Sequence, residues 1–278
     1  MAKPIMIQGT ASGVGKTILT TALCRIFWQD GHTTAPFKSQ NMTSKTTVLR
    51  TGEEMAVSQV LQAKAAGVEP ETAMNPILLK YSAEKKETQL FANGKLRETI
   101  NAYNFREIKK TLVPEIKKAY ETLSSQYDII VIEGAGSPVE LNLNQDDIVN
   151  MGIARLAMAP VLLVADIDRG GVFASLYGTI ALFDERERRH VKATVVNRFK
   201  GDASSFKDGI AILEEKTGVP VAGTVPYIPL SLPEEDGPGG AAYAPDDNLE
   251  DQFDLIAGHI RKSLDMDLVY KILETGVE

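Results

Sequence analysis

The fold is decided by the stretch Ile5-Met6-Ile7-Gln8-Gly9-Thr10-Ala11-Ser12-Gly13-Val14-Gly15-Lys16-Thr17. A short apolar run leads into a glycine-rich segment, and apolar residues recur at helical spacing after it. This is typical of a P-loop, although the strict pattern has glycine where Thr10 stands. In a P-loop, backbone N–H groups surround phosphate oxygens, the lysine adds positive charge and the threonine hydroxyl ligates Mg²⁺. We therefore predict a nucleoside triphosphate site formed by Thr10, Ala11, Ser12, Gly13, Val14, Gly15, Lys16 and Thr17.

Composition and charge restrict the class of protein. The chain has 278 residues, 44% of them hydrophobic, and we expect one large domain in residues 1–230, followed by an acidic linker and an amphipathic helix in residues 231–278. The second segment holds 12 Asp and Glu against 3 Lys and Arg, so the net charge of −7 consists of −9 there and +2 elsewhere. The sequence shows no basic block and no apolar span of about 18 residues, and we expect no signal peptide. We expect a cytoplasmic protein that binds neither nucleic acid nor membranes.

Strand-like and helix-like segments alternate along the chain. Predicted strands, mostly continuous apolar runs, lie at residues 4–8, 33–37, 128–133, 160–166, 191–197 and 220–225. Predicted helices lie at residues 16–29, 53–66, 105–125, 171–183 and 204–217. Apolar runs of this kind belong to strands that are buried on both faces. The order predicts an α/β fold of the P-loop NTPase type, with a mainly parallel sheet and helices on both faces.

Two regions interrupt this alternation. Residues 67–104 are polar and contain the charged run Glu84-Lys85-Lys86-Glu87, so we predict an irregular surface excursion or a substrate lid. Residues 232–240 combine Pro, Gly and acidic residues, which is typical of a flexible linker. A short amphipathic C-terminal helix is predicted after the linker from the spacing of Phe253, Ile256, Ala257, Ile260 and Leu264.

Candidate metal ligands follow from the rule that ligands bind beyond the carboxyl ends of parallel strands. Glu133 closes the strand at 128–133, and the run Gly134-Ala135-Gly136 lets the backbone approach a ligand. In P-loop enzymes a carboxylate at this place holds Mg²⁺, directly or through water. Glu54, near the start of the predicted helix 53–66, is a weaker candidate for a further oxygen ligand, and an exposed helix charge explains it equally well.

Three other strand ends carry polar groups, and two of these groups have two interpretations. Lys38 either compensates charge on a transferred phosphate or is a solvated lysine. Asp166 and Arg169 precede Gly170-Gly171 in what resembles an anion-binding turn, in which Arg169 is able to grip a carboxylate. Asn197 either hydrogen-bonds the edge of a purine or forms a turn.

Seven ordered motifs, of which the P-loop is the first, resemble the cobyric acid synthase family over about residues 3–236. The other six lie at residues 36–42, 74–80, 133–138, 146–151, 166–174 and 219–227. The P-loop and the Glu133-Gly-Ala-Gly run are also similar to dethiobiotin synthetase, whose ATP-dependent chemistry likewise activates a carboxyl group.

The resemblance implies the amidation of carboxylates on a corrinoid, adenosylcobyrinic acid a,c-diamide, with ATP and Mg²⁺. ATP converts each carboxylate to an acyl phosphate, which ammonia attacks. By motif match, the catalytic residues are Lys16, Lys38 and Glu133. The Mg²⁺ ligands are Thr17, Glu54 and Glu133, and Asn197 faces adenine. The substrate cleft is lined by Lys38, Gln40, Asn41, Asp166 and Arg169.

The sequence departs from this family after about residue 236, where full-length members continue into a glutaminase domain with a Cys nucleophile and a His base. The single cysteine, Cys24, lies in the predicted P-loop helix, so we expect ammonia to come from solvent or from a separate glutaminase subunit. A homodimer is implied by the dethiobiotin synthetase resemblance alone. Two alternatives remain: a carboxyl-activating ATPase for another tetrapyrrole or acid, and a switch ATPase of the partition or division type. Those switch ATPases carry lysine where this chain has Ala11.

Overall fold

The computed structural model describes residues 1–82, 87–142, 147–228 and 248–277. Its strands are β1 (Lys3–Gly9), β2 (Thr34–Phe37), β3 (Gln40–Thr43), β4 (Thr46–Val48), β5 (Glu54–Ala56), β6 (Ile77–Ser82), β7 (Glu87–Ala92), β8 (Lys95–Ile100), β9 (Ile129–Glu133), β10 (Val161–Asp166), β11 (Val191–Phe199) and β12 (Val221–Pro226). Its α-helices are α1 (Lys16–Gln29), α2 (Val57–Ala65), α3 (Ala102–Gln126), α4 (Met151–Ala157), α5 (Val172–Leu182), α6 (Glu185–His190), α7 (Lys207–Thr217), α8 (Leu249–Ser263) and α9 (Met266–Thr275).

The central sheet has the order β12-β11-β10-β1-β9-β2 in the described part of the chain, and all its strands are parallel. β1 lies in the middle, between β9 and β10. The chain therefore leaves β1 toward one side of the sheet and later returns to its other side, which makes the carboxyl end of β1 a topological switch point. The predicted parallel α/β fold is confirmed.

Helices cover both faces of this sheet, because successive strand residues point to opposite faces. Ile5, Ile7 and Val131 belong to a core with residues of α1, α8 and α9. Met6 and Ile132 belong to a second core with residues of α3, α4, α5 and α7. Among the described helices, none has both the length and the apolar character needed to span a bilayer.

The prediction of an irregular excursion over residues 67–104 is wrong. Strands β6, β7 and β8 form an antiparallel ladder, and β3 extends it in parallel to β6. Asn93 and Gly94, with φ of 47° and 73°, form the turn between β7 and β8, a pair that favours two-residue hairpin turns. Residues 95–99 are mostly exposed and charged, which gave this strand the composition of a loop. Residues 84–86 of the charged run lie outside the described residues.

Two predicted helices also need correction. The helix predicted at residues 53–66 begins at Val57, because Glu54–Ala56 form β5, which pairs antiparallel with β4. The single C-terminal helix is two helices, α8 and α9. They are separated at Asp265, whose N–H donates to the Ala222 carbonyl at 2.7 Å and whose side chain accepts from the Leu268 N–H at 2.9 Å. The expected linker falls largely outside the described residues, so the division at residue 230 stays a prediction.

Candidate active site

Residues 10–15 form the turn between β1 and α1 at the carboxyl edge of the central sheet, where the sequence predicts the P-loop. Gly15 has φ of 99°, a conformation that favours glycine. A side chain has no space there either, since an ideal Cβ would lie 2.1 Å from Asn197 Nδ2. Asn197 Nδ2 donates to the Val14 carbonyl at 2.7 Å. Asn197 therefore supports the P-loop from β11, and its contact with adenine stays a prediction.

Lys16 lies between the P-loop and the loop that follows β9. Its Nζ donates to the Ala11 carbonyl at 3.0 Å and to the Gly136 carbonyl at 3.1 Å. Phosphate oxygens make stronger hydrogen bonds to an ammonium group than neutral carbonyls do. The position of the Lys16 ammonium thus suits the predicted contact with the β- and γ-phosphates.

Glu133 is the centre of the site. Its Oε1 accepts hydrogen bonds from Thr17 Oγ1 at 2.8 Å and from Lys38 Nζ at 3.0 Å, and its Oε2 accepts one from Gln62 Nε2 at 2.6 Å. The residue is only 1% exposed. Burial by itself raises the pKa of Glu133, but the charge of Lys38 and the hydrogen bonds from Lys38, Gln62 and Thr17 outweigh it, and the pKa lies below its usual value. The carboxylate is therefore ionised at neutral pH.

This arrangement fits a magnesium site. Mg²⁺ prefers hard oxygen ligands, often one or two carboxylates together with phosphate oxygens. The Thr17 hydroxyl and the Glu133 carboxylate are in contact beside the P-loop, which brings together two of the three predicted metal ligands. The third, Glu54, lies on β5 and pairs with Lys80 and with the Thr46 hydroxyl, so its role as a ligand stays a prediction.

A buried chain of side-chain amides leads from Glu133 to β3; we call it the amide chain, and it consists of Asn41, Gln59 and Gln62. Asn41 Nδ2 donates to Gln59 Oε1. Gln59 Nε2 in turn donates to Gln62 Oε1 at 3.5 Å. All three side chains are fully buried. Asn41, a predicted substrate residue, is thus connected to the phosphate site through α2.

Lys38 is fixed by its backbone as well as by its charge. Its N–H donates to the Met74 carbonyl at 2.9 Å, and its carbonyl accepts from Asn75 Nδ2 at 3.2 Å. Only 4% of the surface of Lys38 is exposed, so Lys38 is not a solvated lysine. Its role in compensating phosphate charge stays a prediction. Gln40 follows at the start of β3, and its Oε1 is buried without a hydrogen-bond donor among the described residues.

The loop after Glu133 is held by Asn150, which precedes α4. Asn150 Nδ2 donates to the Ala135 carbonyl at 2.7 Å, and the Ala135 N–H donates to Asn150 Oδ1 at 3.1 Å. An ideal Cβ on Gly134 would lie 2.3 Å from the same Oδ1. Glycine at position 134 is therefore required by the close approach of Asn150, and this contact fixes the loop against which Lys16 lies.

Asp166 and Arg169 lie on the side of the P-loop opposite Glu133, since β10 and β9 flank β1 on opposite sides. Asp166 Oδ2 accepts a hydrogen bond from Arg198 Nη1 at 3.1 Å, and Arg169 Nε is 3.6 Å from the same oxygen. Arg169 is largely exposed, and its Nη2 would be 3.6 Å from a Cβ placed on Gly13. The structure thus brings Arg169 to the edge of the P-loop, where it is accessible to a second ligand.

Five residues around the site were missed by sequence reasoning: Gln59, Gln62, Asn75, Asn150 and Arg198. The signal for the two glutamines was their three-residue spacing, which places them on one helix face beside apolar neighbours. Asn75 and Asn150 stand within the family motifs quoted above, and Arg198 follows a predicted strand-end residue directly. Each is a polar side chain with at least one hydrogen-bond partner that is distant in the sequence.

A glycine-rich turn after the central strand, with Thr17 and a buried strand-end carboxylate beside it, defines a P-loop nucleotide-binding protein. The chain belongs to the CobQ/CobB/MinD/ParA nucleotide binding domain family, whose model matches residues 5–236.

Curated relatives agree with this assignment. The chain is 55% identical over 236 residues to the cobyric acid synthase of Ruminiclostridium cellulolyticum, covering 85% of this chain and 46% of that protein. It is 50% identical over 250 residues to the cobyric acid synthase of Listeria monocytogenes, covering 89% and 49%. The predicted resemblance is confirmed, and the chain spans about half the length of these relatives. Among solved structures, MinD of Aquifex aeolicus aligns at a TM-score of 0.43 with 17% identity, over 82% of this chain and 84% of that one.

Proposed function

We propose that this chain catalyses the ATP-dependent amidation of side-chain carboxylates on a corrinoid. In this proposal the substrate is adenosylcobyrinic acid a,c-diamide, the product is cobyric acid, and ammonia supplies the nitrogen. The observation that carries the proposal is the contact of Glu133 with both Thr17 and Lys38 beside the P-loop. It brings two predicted metal ligands together with a buried cation next to the expected position of the terminal phosphate. The similarity to proteins named cobyric acid synthase supports the substrate class.

The chemical difficulty is that a carboxylate is a poor electrophile, because its delocalised negative charge repels nucleophiles. In the proposed first step, a substrate carboxylate oxygen attacks the γ-phosphorus of ATP, the bond from that phosphorus to the β–γ bridging oxygen breaks, and ADP leaves. Ammonia then attacks the carbonyl carbon of the acyl phosphate. Phosphate leaves and the nitrogen loses a proton, which gives the amide. The protein contributes mainly position and charge to such a phosphoryl transfer.

The proposed roles come from the motif match, and the contacts among Thr17, Lys38 and Glu133 support part of them. Lys16 and Lys38 compensate negative charge on the phosphates and on the attacking carboxylate. Thr17 and Glu133, with Glu54 as a third ligand, hold Mg²⁺, which neutralises phosphate charge when it is bound. The residues proposed to contact the substrate are Lys38, Gln40, Asn41, Asp166 and Arg169.

The nitrogen source is proposed to be free ammonia or ammonia from a separate glutaminase subunit. Cys24 is the single cysteine of these 278 residues, and it is fully buried in α1. Burial, and to a smaller extent the charge of Glu133, raises the pKa of the Cys24 thiol, so it is protonated and inaccessible as a glutaminase nucleophile. A homodimer and a cytoplasmic location are further parts of this proposal.

The test is a product assay on the purified chain with ATP, Mg²⁺ and adenosylcobyrinic acid a,c-diamide, in which ammonium chloride is compared with glutamine. We expect ADP release and amidated corrinoid with ammonium, and neither with glutamine. Lys38→Met is expected to abolish product formation while the protein still binds ADP. Turnover with glutamine alone would reject the proposed nitrogen source. ATP binding without any corrinoid product would reject the substrate and favour a carboxyl-activating or switch ATPase instead.

A further inference from the structure

The amide chain has a single direction. An ionised carboxylate accepts hydrogen bonds and donates none, so Gln62 must turn its NH₂ group toward Glu133 and its carbonyl oxygen toward Gln59. Gln59 must then donate to Gln62 and accept from Asn41, as the structure shows. The charge of Glu133 therefore fixes the orientation of each amide. Each amide in turn supports the hydrogen bond that Gln62 donates to Glu133.

The two oxygens of Glu133 have different partners. Oε1 accepts hydrogen bonds from Thr17 and Lys38, whereas Oε2 accepts one from Gln62 Nε2 at 2.6 Å. The terminal torsion of a glutamate side chain is soft. Loss of the hydrogen bond to Oε2 would therefore allow the carboxylate plane to rotate, and Oε1 would leave its position beside the Thr17 hydroxyl.

We propose that Gln62 is a positioning residue that sets the orientation of the Glu133 carboxylate, and that Gln59 supports Gln62 in this role. In this proposal neither residue contacts the nucleotide, and both act through Glu133. The inference rests on the proposed function only in that Glu133 serves the phosphate site. Its consequence is that the gain in nucleotide affinity caused by Mg²⁺ depends on Gln62, whereas binding of phosphates by the P-loop alone does not.

The decisive variant is Gln62→Met, which keeps the length of the side chain but removes its amide. The Kd of ADP is measured by calorimetry on the full chain, once in EDTA and once in Mg²⁺. We expect the Mg²⁺-dependent gain in affinity to fall about tenfold, since a hydrogen bond to a charged group is lost. The Kd in EDTA is expected to remain that of the wild type. Gln59→Met is expected to reduce the gain in the same direction but by a smaller factor.

Thr194→Val is the matched control, because Thr194 is a buried polar residue of β11 whose hydroxyl makes one long hydrogen bond, 3.5 Å from the Pro220 carbonyl. We expect it to leave both Kd values unchanged.

A lower melting temperature of Gln62→Met with an unchanged Mg²⁺-dependent gain in affinity would show a structural role alone and overturn the inference. If Gln62→Met does not fold, Gln59→Met supplies the same measurement. No corrinoid is needed, so a failed amidation assay and a failed Kd test are distinguishable.

Discussion

Glu133 joins three parts of the chain through one carboxylate. Hydrogen bonds reach it from Thr17 of α1, from Lys38 after β2 and from Gln62 of α2. An exposed ion pair contributes little to stability, but the removal of one partner of a buried pair leaves the other charge without compensation. Glu133 therefore matters for folding as well as for the phosphate site.

Glu133→Gln is expected to lower the free energy of unfolding by about 3 kcal/mol at neutral pH, because Lys38 stays buried without a counter-charge. The native pKa of Glu133 lies below its unfolded value. Its ionisation thus stabilises the fold above the unfolded-state pKa, and this stabilisation is lost as the pH falls through the native pKa. The difference in unfolding free energy between variant and wild type should narrow as the pH falls from neutral through the native pKa of Glu133. Urea unfolding at several pH values measures this difference, and a difference that widens toward acid would contradict the assignment.

At the scale of elements, α8 connects the two helices that carry the site. Arg25 of α1 is buried and pairs with Asp254 at 2.7 Å and with Glu250 at 2.8 Å. Phe253, on the same helix, is fully buried in a small apolar cluster with Val57 and Leu61 of α2. The helix that contains Gln62 is therefore packed against α8, and the stability of α8 contributes to the position of α2.

Phe253→Ala is expected to lower the free energy of unfolding by about 3–5 kcal/mol, because it removes a fully buried ring and leaves a cavity. Leu255→Ala, on the same helix but 52% exposed, is the control and should change the free energy by less than about 0.5 kcal/mol. Urea denaturation of both variants gives the comparison. Equal effects of the two substitutions would show that α8 does not pack as described.

Some strands and site residues were predictable from the sequence, and others were not. The central strands were predictable because strands buried on both faces are continuous apolar runs, such as Ile129–Val131. Strand β8 was not predictable, because its charged residues Lys95, Arg97 and Glu98 are at least partly exposed and give it the composition of a loop. The P-loop and Glu133 were predictable from local motifs. Gln59 and Gln62 were not identified as site residues, because a glutamine on a helix is usually solvated. Their burial depends on tertiary contacts that the sequence does not show.

At the scale of the whole molecule, parallel strands bring distant motifs to one edge of the sheet. β1, β9, β10 and β11 lie beside one another, and each carries a predicted site residue at or near its carboxyl end. The P-loop turn has contacts with β11 through Asn197 and with the loop after β9 through Lys16. A nucleotide bound there should therefore stabilise most of the central sheet and not only the loop.

ADP with Mg²⁺ at about 100 times its Kd should add about 2.7 kcal/mol to the free energy of unfolding. This corresponds to a rise in melting temperature of roughly 5 to 10 °C for a protein of this size. Lys16→Ala is expected to lose most of the rise, because the phosphates lose their main cation in the P-loop. Differential scanning fluorimetry measures the shift. An unchanged melting temperature of the wild type at saturating nucleotide would contradict the P-loop assignment.

The one-way order of the amides in the interior also has an evolutionary consequence. Replacing any of positions 41, 59 and 62 by a residue that lacks a donor or an acceptor leaves its neighbours in the chain mispaired in a dry environment. During divergence, these three positions should be conserved as a set or substituted in concert. Relatives in which position 62 varies freely while position 59 stays glutamine would show that selection acts on each amide separately.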